Sequence, residues 1–402
     1  MQSPPMSHLD LLAPDFRANP YPYYAELRRS PPVCVDPGNL WAVSRYDDVV
    51  AILKNPAVFS SQGFRIAAIQ PWIPSNPIVD SLVFLDPPRH TGIRSLVTHA
   101  FSARVLPRVE PIARAVAVEF ARHAQTGVEL DVCSEIGLKL PAAVIANLLG
   151  FDGEKSAKIR EWADDIHSIS VMTPVEDRAR IARSIDELAR YIDEVFEDRR
   201  RRRRPDLASD LLDAEVDGER LTRDELVGFM FLLLVAGYET TGHLIAQAIR
   251  MLIAHPELVD LLHANPDSIR DFIEEVGRYE PSVHGLMRLV VADADVGGVA
   301  IPAGSVIIAL IGAANRDEAR FEDPDRFDMN RKQRPSLSFG HGIHFCMGAA
   351  LARAEVRIAL EELLPRIAAV RGTQAPEWNR SLTVRGPVRL PVRFQPRLTE
   401  LS

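Results

Sequence analysis

Residues 339–348 read Phe-Gly-His-Gly-Ile-His-Phe-Cys-Met-Gly, and this stretch decides the interpretation of the whole chain. Cys346 stands just before a segment with helical periodicity, and the N–H groups of a helix start favour a thiolate. The three glycines of the stretch allow sharp turns and a close approach of the backbone to a flat ligand. By default an isolated cysteine is a small buried hydrophobic residue. The complete pattern instead predicts a loop that presents a cysteine ligand to a cofactor.

This stretch resembles the heme-binding signature of the cytochrome P450 superfamily, and nearly all of the chain is similar to its soluble bacterial members. The resemblance implies heme b with Cys346 as the axial iron ligand, and Phe339, His344 and Gly348 in the surrounding loop. A thiolate ligand increases electron density on the iron and favours cleavage of the O–O bond.

Helical periodicity dominates the remaining sequence. Thr222 and Glu225 form a capping box that opens a long helix, and β-branched runs divided by Gly-Gly and Pro-Ala-Gly predict small antiparallel sheets between Leu286 and Ile311. No internal repeat or linker is evident, so a single domain over 1–402 is expected. The fold class is mainly α with small antiparallel β patches, and the resemblance implies the P450 fold with a long central helix over the heme. Further predictions are helices within 94–204, over 222–254, 266–279 and 347–369, and strands over 40–46 and 388–394.

Composition excludes several classes of partner. The 402 residues are 47% hydrophobic and carry a formal charge of −8, which argues against nucleic acid or an anionic membrane as the main partner. The three cysteines form no Cys-x-x-Cys pair, so neither a disulfide framework nor a zinc site is expected. The first residues lack the apolar core of a signal peptide, and the run 229–237 falls short of the roughly 20 residues of a membrane span. We expect a cytoplasmic monomer.

Polar residues interrupt the apolar long helix at Ala236-Gly-Tyr-Glu-Thr-Thr241. The residues alone allow a structural explanation, in which a threonine bonds to a preceding carbonyl and Glu239 faces solvent. The resemblance implies that Gly237 opens space for dioxygen, and that Glu239 and Thr240 deliver protons during oxygen activation.

Glu275 and Arg278 are three residues apart on a predicted helix and share one face. Such pairs are common on surfaces and contribute little. The resemblance implies a structural triad behind the heme, completed by Arg326 of the Pro-Asp-Arg-Phe segment.

Heme propionates are anionic and need cations or hydrogen-bond donors when they are partly buried. Taken singly, His90, Arg94, Arg288 and His344 would by default be surface residues. Their positions resemble those of the residues that bind the propionates in the family.

The apolar loop between Ser61 and Pro88, the middle of the long helix and the segments near Leu286 and Thr383 resemble the family's distal pocket. The pocket is expected to be mainly apolar, with His284, Thr383 or Arg65 available to orient one polar group of a substrate. The predicted pocket residues are Phe64, Ile66, Ile69, Trp72, Phe84, Leu232, Val235, His284, Leu286 and Thr383.

The resemblance implies a monooxygenase that uses O₂ to hydroxylate or epoxidise a largely apolar small molecule. No Gly-x-Gly-x-x-Gly follows a strand, so electrons are expected from a separate ferredoxin or flavodoxin with its reductase. A cationic docking face is expected at Arg104, Arg108, Arg353 and Arg357, against the alternative of ordinary solvated arginines. Two other functions stay open, a heme-thiolate peroxygenase, isomerase or nitric oxide reductase, and a non-catalytic heme-based ligand sensor.

Overall fold

The structure is a computed structural model that describes residues 10–35, 39–65, 69–101, 105–169, 173–332 and 335–397. It is 56% helical, as the sequence predicted for a mainly α fold. The helices, in chain order, are α1 Pro14–Ala18, α2 Tyr21–Arg29, α3 Tyr46–Lys54, α4 Arg89–Ala100, α5 Val105–Ala124, α6 Lys139–Leu148, α7 Ser156–His167, α8 Val175–Arg201, α9 Leu207–Asp213, α10 Arg223–Ala254, α11 Glu257–Ala264, α12 Ile269–Tyr279, α13 Ile311–Ala314 and α14 Ala349–Leu363.

The strands are short. They are β1 Val33–Val35, β2 Leu40–Val43, β3 Phe59–Ser60, β4 Glu129–Asp131, β5 Leu286–Val290, β6 Ala294–Val296, β7 Val299–Ile301, β8 Val306–Ala309, β9 Ile367–Gly372, β10 Glu377–Trp378, β11 Pro387–Arg389 and β12 Pro391–Pro396. The largest sheet has the order β1-β2-β8-β5-β3, and a three-stranded sheet has the order β4-β12-β9.

The chain forms two compact units, and the first comprises 1–60, 114–140 and 240–402. This unit holds the largest sheet, in which successive residues of β8 face opposite sides. Ile307 belongs to a core cluster that includes residues of α3, whereas Ile308 belongs to a cluster that includes residues of α2. The alternation therefore buries both faces of the sheet.

The second unit comprises 61–113 and 141–239. The apolar residues of α8 recur at helical spacing, and Ile181, Ile185, Leu188 and Ile192 are all buried. Helices α7 and α9 both pack against α8. This packing accounts for the helical pattern predicted within 94–204.

The long helix α10 begins at the predicted capping box. The amide of Thr222 donates to Glu225 Oε2 over 2.9 Å, and the amide of Glu225 donates to Thr222 Oγ1 over 3.3 Å. By length and composition alone α10 could cross a membrane, but 61% of its most apolar window is buried inside the protein. Its apolar character is therefore that of a core helix.

The strand predicted over 40–46 ends at Val43, the strand predicted over 388–394 is divided into β11 and β12, and two further predictions differ from the structure. Helix α14 ends at Leu363 instead of near Ala369, because Pro365 lies in a short 3₁₀ turn that leads into strand β9. Strand β2 pairs in parallel with β8, a partner that the sequence did not predict for it. This pairing joins residues about 260 positions apart, as Trp41 lies opposite Ile307.

Candidate active site

The predicted cysteine loop precedes α14 as expected. A 3₁₀ turn spans Gly342–His344, and the amide of Cys346 donates to the Phe339 carbonyl over 2.9 Å. The Cys346 side chain is exposed just before the N-terminus of α14. By contrast Cys133 is buried, and burial raises the pKa of its thiol, so it is inert as a nucleophile or ligand.

Two of the three glycines in the loop are required by the backbone. Gly340 and Gly342 have φ values of +74° and +72°, in the left-handed region that favours glycine. A Cβ atom on Gly342 would also lie 2.4 Å from the Leu53 carbonyl oxygen. Gly348 has an ordinary φ of −79°, and a Cβ there would lie 3.9 Å from Cys346 Sγ. The backbone therefore does not require glycine at position 348, and a Cβ there would be in ordinary van der Waals contact with the sulfur.

Arg288 and His344 belong to the same unit as Cys346. Arg288 lies on β5, is 3% exposed, and its Nη1 donates to the Met287 carbonyl over 2.8 Å. His344 ends the 3₁₀ turn and is half-buried. The ring of Phe339 is covered by the guanidinium of Arg353, whose carbon lies 4.2 Å from the ring centroid.

His90 and Arg94 lie one turn apart on α4, in the second unit. His90 is 2% exposed, and burial lowers the pKa of its imidazole to about 4. The charge of Arg94 lowers that pKa further, and Asp86 acts in the opposite direction. The imidazole is therefore neutral near pH 7 and can act as a hydrogen-bond donor.

Gly237, Glu239 and Thr240 lie in the middle of α10. Glu239 and Thr240 are half-buried. A Cβ on Gly237 would lie 2.7 Å from Ile145 Cδ1, so the missing side chain accommodates an isoleucine of α6. The Thr240 carbonyl accepts a hydrogen bond from Ser282 Oγ over 2.7 Å, a contact that sequence reasoning did not reveal.

The structure corrects one member of the predicted triad. Arg278 donates to both oxygens of Glu275, over 2.8 Å and 2.7 Å, in a buried bidentate pair. Arg326 contributes its backbone carbonyl to Arg278, while its guanidinium is exposed and pairs with Asp328. The side chain that approaches Glu275 is Arg331, whose Nε lies 3.4 Å from Oε1.

Among the predicted pocket residues, Phe84 is buried, Ile69 is 54% exposed, and Trp72 lies 5.7 Å from the Arg178 guanidinium. His284 is 1% exposed, and its Nδ1 is 3.0 Å from the hydroxyl of Tyr24. The structure places this imidazole in a buried cluster, so it is not available to orient a substrate. Leu232, Val235, Leu286, Thr383 and Arg65 are half-buried, whereas Ile66 and the side chain of Phe64 lie outside what the structure describes.

The predicted cationic face consists of paired arginines wherever the structure describes it. Arg353 binds the carboxylate of Glu274, Arg357 binds Glu361, and Arg108 binds Asp210. Arg104 lies outside the described residues.

The donor set fits a heme held by one thiolate. An exposed cysteine at a helix start provides a single soft axial ligand. The neighbouring glycines add no side-chain atoms around it. Within the described ranges no group of three or more metal-ligating side chains occurs. These features fit the class of heme-thiolate proteins.

Comparison with known proteins leads to the family. The family model for Cytochrome P450 matches residues 37–376. The structure of cytochrome P450 CYP109Q5 from Chondromyces apiculatus superimposes with a TM-score of 0.91 at 38% identity, covering 98% of this chain and 100% of that one. CYP109E1 from Bacillus megaterium, in complex with testosterone, gives a TM-score of 0.83 at 32% identity over 93% and 99% of the two chains. Cytochrome P450 monooxygenase PikC of Streptomyces venezuelae is 35% identical, covering 98% of this chain and 95% of the relative.

This chain belongs to the cytochrome P450 family. The predicted fold and enzyme class, a P450 monooxygenase with a heme iron cofactor, are confirmed by that membership.

Proposed function

We propose that this protein uses O₂ to insert one oxygen atom into a C–H bond or double bond of a largely apolar small molecule. The observation that carries the proposal is the exposed thiol of Cys346 at the start of α14, on a chain that also carries Glu239 and Thr240 in α10. A peroxygenase, isomerase or ligand sensor needs no such acid and alcohol pair, which favours the monooxygenase.

Heme b would be held by Cys346 through its thiolate. When bound, the heme supplies the redox chemistry that activates oxygen. The donors and cations that propionate carboxylates need would come from His90, Arg94, Arg288 and His344. Arg288 is fixed by β5 and is almost fully buried, so its positive charge favours an anionic partner.

Glu239 and Thr240 are assigned the delivery of protons. A carboxyl group exchanges protons readily near neutral pH, and a hydroxyl can accept one hydrogen bond while it donates another. Because the two residues are adjacent on one helix, their relative positions are set by the backbone. The missing side chain of Gly237, one turn before Thr240, lets Ile145 of α6 pack closely against the helix at this point.

The electrons would come from a soluble ferredoxin or flavodoxin, and the protein would act as a monomer in the cytoplasm. The pairing of Arg353 with Glu274 and of Arg357 with Glu361 lowers the net charge of the docking face proposed from the sequence. Recognition of the redox protein would then rest on shape and on exchange of ion-pair partners, with a modest dependence on salt.

The substrate would be a medium-sized hydrophobic molecule with a few heteroatoms, such as a steroid, terpenoid, fatty acid or polyketide-like compound. The residues proposed to contact it are mainly apolar, among them Phe84, Val235 and Leu286. CYP109E1, which was solved with testosterone bound, shares the fold at 32% identity. Thr383 and Arg65 remain as polar groups that could orient one heteroatom.

The test of the ligand assignment is spectroscopic. Reduced protein treated with carbon monoxide should show the strongly red-shifted Soret band of thiolate ligation, and Cys346→His should abolish it. Cys133→Ser and Cys34→Ser serve as controls, since neither sulfur lies in the loop. Loss of the band in either control, with retention in Cys346→His, would remove Cys346 from its role.

A further inference from the structure

The turn of α10 that begins at Thr240 receives a hydrogen bond from outside the helix. Ser282 follows α12, is 9% exposed, and donates from Oγ to the Thr240 carbonyl over 2.7 Å. In an α-helix this carbonyl already accepts the amide of Leu244, four residues later. The second donor therefore fixes the direction of the Thr240 carbonyl. The side chain of this same residue is the proposed proton donor.

Ser282 is itself held by backbone pairing with the C-terminal turn. Its carbonyl accepts the amide of Arg385 over 2.8 Å, and Val283 forms a bridge with Val384. The amides of His284 and Gly285 both donate to the Thr383 carbonyl, over 2.7 Å and 3.1 Å. Ser282 therefore lies on a short backbone ladder formed by residues 282–285 and 383–385, and this pairing restricts its position.

Buried charge anchors the other side of that ladder. Arg385 is 1% exposed, donates to Glu280 Oε2 over 2.7 Å, and lies 3.7 Å above the Trp378 ring. Its remaining nitrogens donate to the carbonyls of Arg17 and Ala18, over 2.9 Å and 2.8 Å. Since each nitrogen of this guanidinium group donates a hydrogen bond, displacing the ladder would leave a buried charge without these partners.

Two glycines bring further backbone against the same turn of α10. A Cβ on Gly242 would lie 2.3 Å from the Gly137 carbonyl oxygen, so that carbonyl packs directly on the helix. A Cβ on Gly386 would lie 2.0 Å from the His243 ring, so the residue after Arg385 packs on the next side chain of the turn. Ser282, Gly137 and Gly386 together hold residues 240–243 at three points.

We propose that Ser282 is a positioning residue for Thr240, which it holds in place through the backbone carbonyl. The proposal rests on the proton-delivery role proposed above for Thr240. Proton transfer demands placement of the donor within about 0.5 Å, which packing and second hydrogen bonds provide. A helix carbonyl that accepts one hydrogen bond changes its direction more freely than a carbonyl that accepts two. The Thr240 side chain moves together with the carbonyl of its own residue.

The experiment compares Ser282→Ala with Ser282→Thr in the heme-loaded protein. Alanine deletes one oxygen and adds no bulk, whereas threonine keeps the hydroxyl. Loss of one net hydrogen bond corresponds to about a fivefold change, which we expect in the ratio of peroxide formed to NADPH consumed. Ser282→Thr should restore most of the coupling. Ser305→Ala is the matched control, because Ser305 is fully buried and bonds to Asn39 Oδ1 far along the chain from α10.

A second readout does not depend on turnover. Hydrogen exchange of the peptide amides at 241–245 should be about fivefold faster in Ser282→Ala than in the parent, and unchanged in Ser305→Ala. In the Thr240→Ala background, Ser282→Ala should add no further uncoupling, because both changes act on one group.

The outcomes separate the two proposals. If Thr240→Ala uncouples the enzyme while Ser282→Ala changes neither coupling nor exchange, the role of Ser282 is overturned and that of Thr240 stands. Additive uncoupling in the double variant would also overturn it, since Ser282 would then act elsewhere. If Thr240→Ala stays coupled, the relay itself is wrong, and faster exchange in Ser282→Ala would still support the positional contact.

Discussion

Glu355 is a carboxylic acid buried in α14, nearly without contact with solvent. It is 2% exposed, and no hydrogen-bond partner for its Oε2 is present among the residues that the structure describes. Burial raises the pKa of this carboxyl well above its usual value, so the folded protein holds it protonated. An uncharged acid at this position tolerates the apolar surroundings that an ionised one would not.

This protonation predicts a dependence of stability on pH. Above pH 4.5 the unfolded chain releases the Glu355 proton and the folded chain keeps it, so stability falls as pH rises toward the folded pKa. Glu355→Gln removes the titration and keeps the shape. The unfolding free energy of this variant relative to the parent should rise with pH above 4.5, by at most about 1.4 kcal/mol per pH unit. Urea denaturation between pH 5.5 and 8 measures it.

The matched control lies on the same helix. Glu361 binds Arg114 and Arg357 through its carboxylate, so Glu361→Gln is the matched control for replacing a glutamate of this helix that has charged partners. A constant difference between Glu355→Gln and the parent over this range would mean that Glu355 is ionised in the folded protein.

At the level of single residues, the sequence predicted which side chains carry the chemistry better than it predicted which residues contact one another. Cys346 could be assigned because an unusual pattern surrounds it, and its exposure agrees with that assignment. His284 could not, because its neighbour Tyr24 comes from a distant segment and nothing near His284 in the chain predicts burial. Ser282 lacks any local signal for the same reason, as its partner is a backbone carbonyl on another element.

Among the elements, α12 carries the Glu275 and Arg278 pair, and Arg278 joins this helix to the segment after α13. Both side chains are almost completely buried, at 5% and 2% exposure, and Arg278 also donates to the carbonyls of Asn315 and Pro324. Arg331 adds a cation near Glu275 at 3.4 Å, whereas the Arg326 guanidinium lies in solvent. A local motif could not separate these arginines, because a difference of a few residues in an irregular segment decides which one turns inward.

This difference predicts opposite outcomes for the two arginines. Arg331→Ala should lower the free energy of unfolding by about 1–3 kcal/mol, because Glu275 loses a charged partner at a buried position. Arg326→Ala should leave stability unchanged within error, since its pair with Asp328 is exposed. Chemical denaturation of both variants, with heme content measured in parallel, provides the comparison. The reverse ranking would restore Arg326 to the triad.

The elements themselves were predictable where the signal is local. The capping box of α10 and the period of α8 are encoded within one or two turns, and both elements formed as expected. The parallel pairing of β2 with β8 was not predictable, because it depends on contacts between residues about 260 positions apart. The end of α14 was misplaced because the apolar pattern continues unchanged from the helix into β9.

On the scale of the whole molecule, Arg17 from the beginning of the described chain meets residues 379–385 in one buried polar cluster. Arg17 donates to Asn379 Oδ1 and to the Val384 carbonyl, each over 2.7 Å, and Arg385 donates to the carbonyl of Arg17. Residues near the N-terminus thereby secure the turn that holds Ser282. Composition could exclude nucleic acid as the main partner, but it contains no information about such long-range contacts.

The last prediction concerns the substrate, which acts on the protein as a whole through the spin state of its heme. Apolar ligands that bind the heme-loaded protein should shift its ferric spectrum from low to high spin, and a library of steroids, terpenoids and fatty acids should contain such ligands. Leu286 is half-buried at the start of β5, so Leu286→Phe should change affinity or regioselectivity without altering the spectrum of the carbon monoxide complex. Val388→Phe is a suitable control, because Val388 is 51% exposed on β11 and is not among the residues proposed to contact substrate. A shift produced only by small hydrophilic molecules, with none from the apolar library, would contradict the proposed substrate class while leaving the ligand assignment of Cys346 intact.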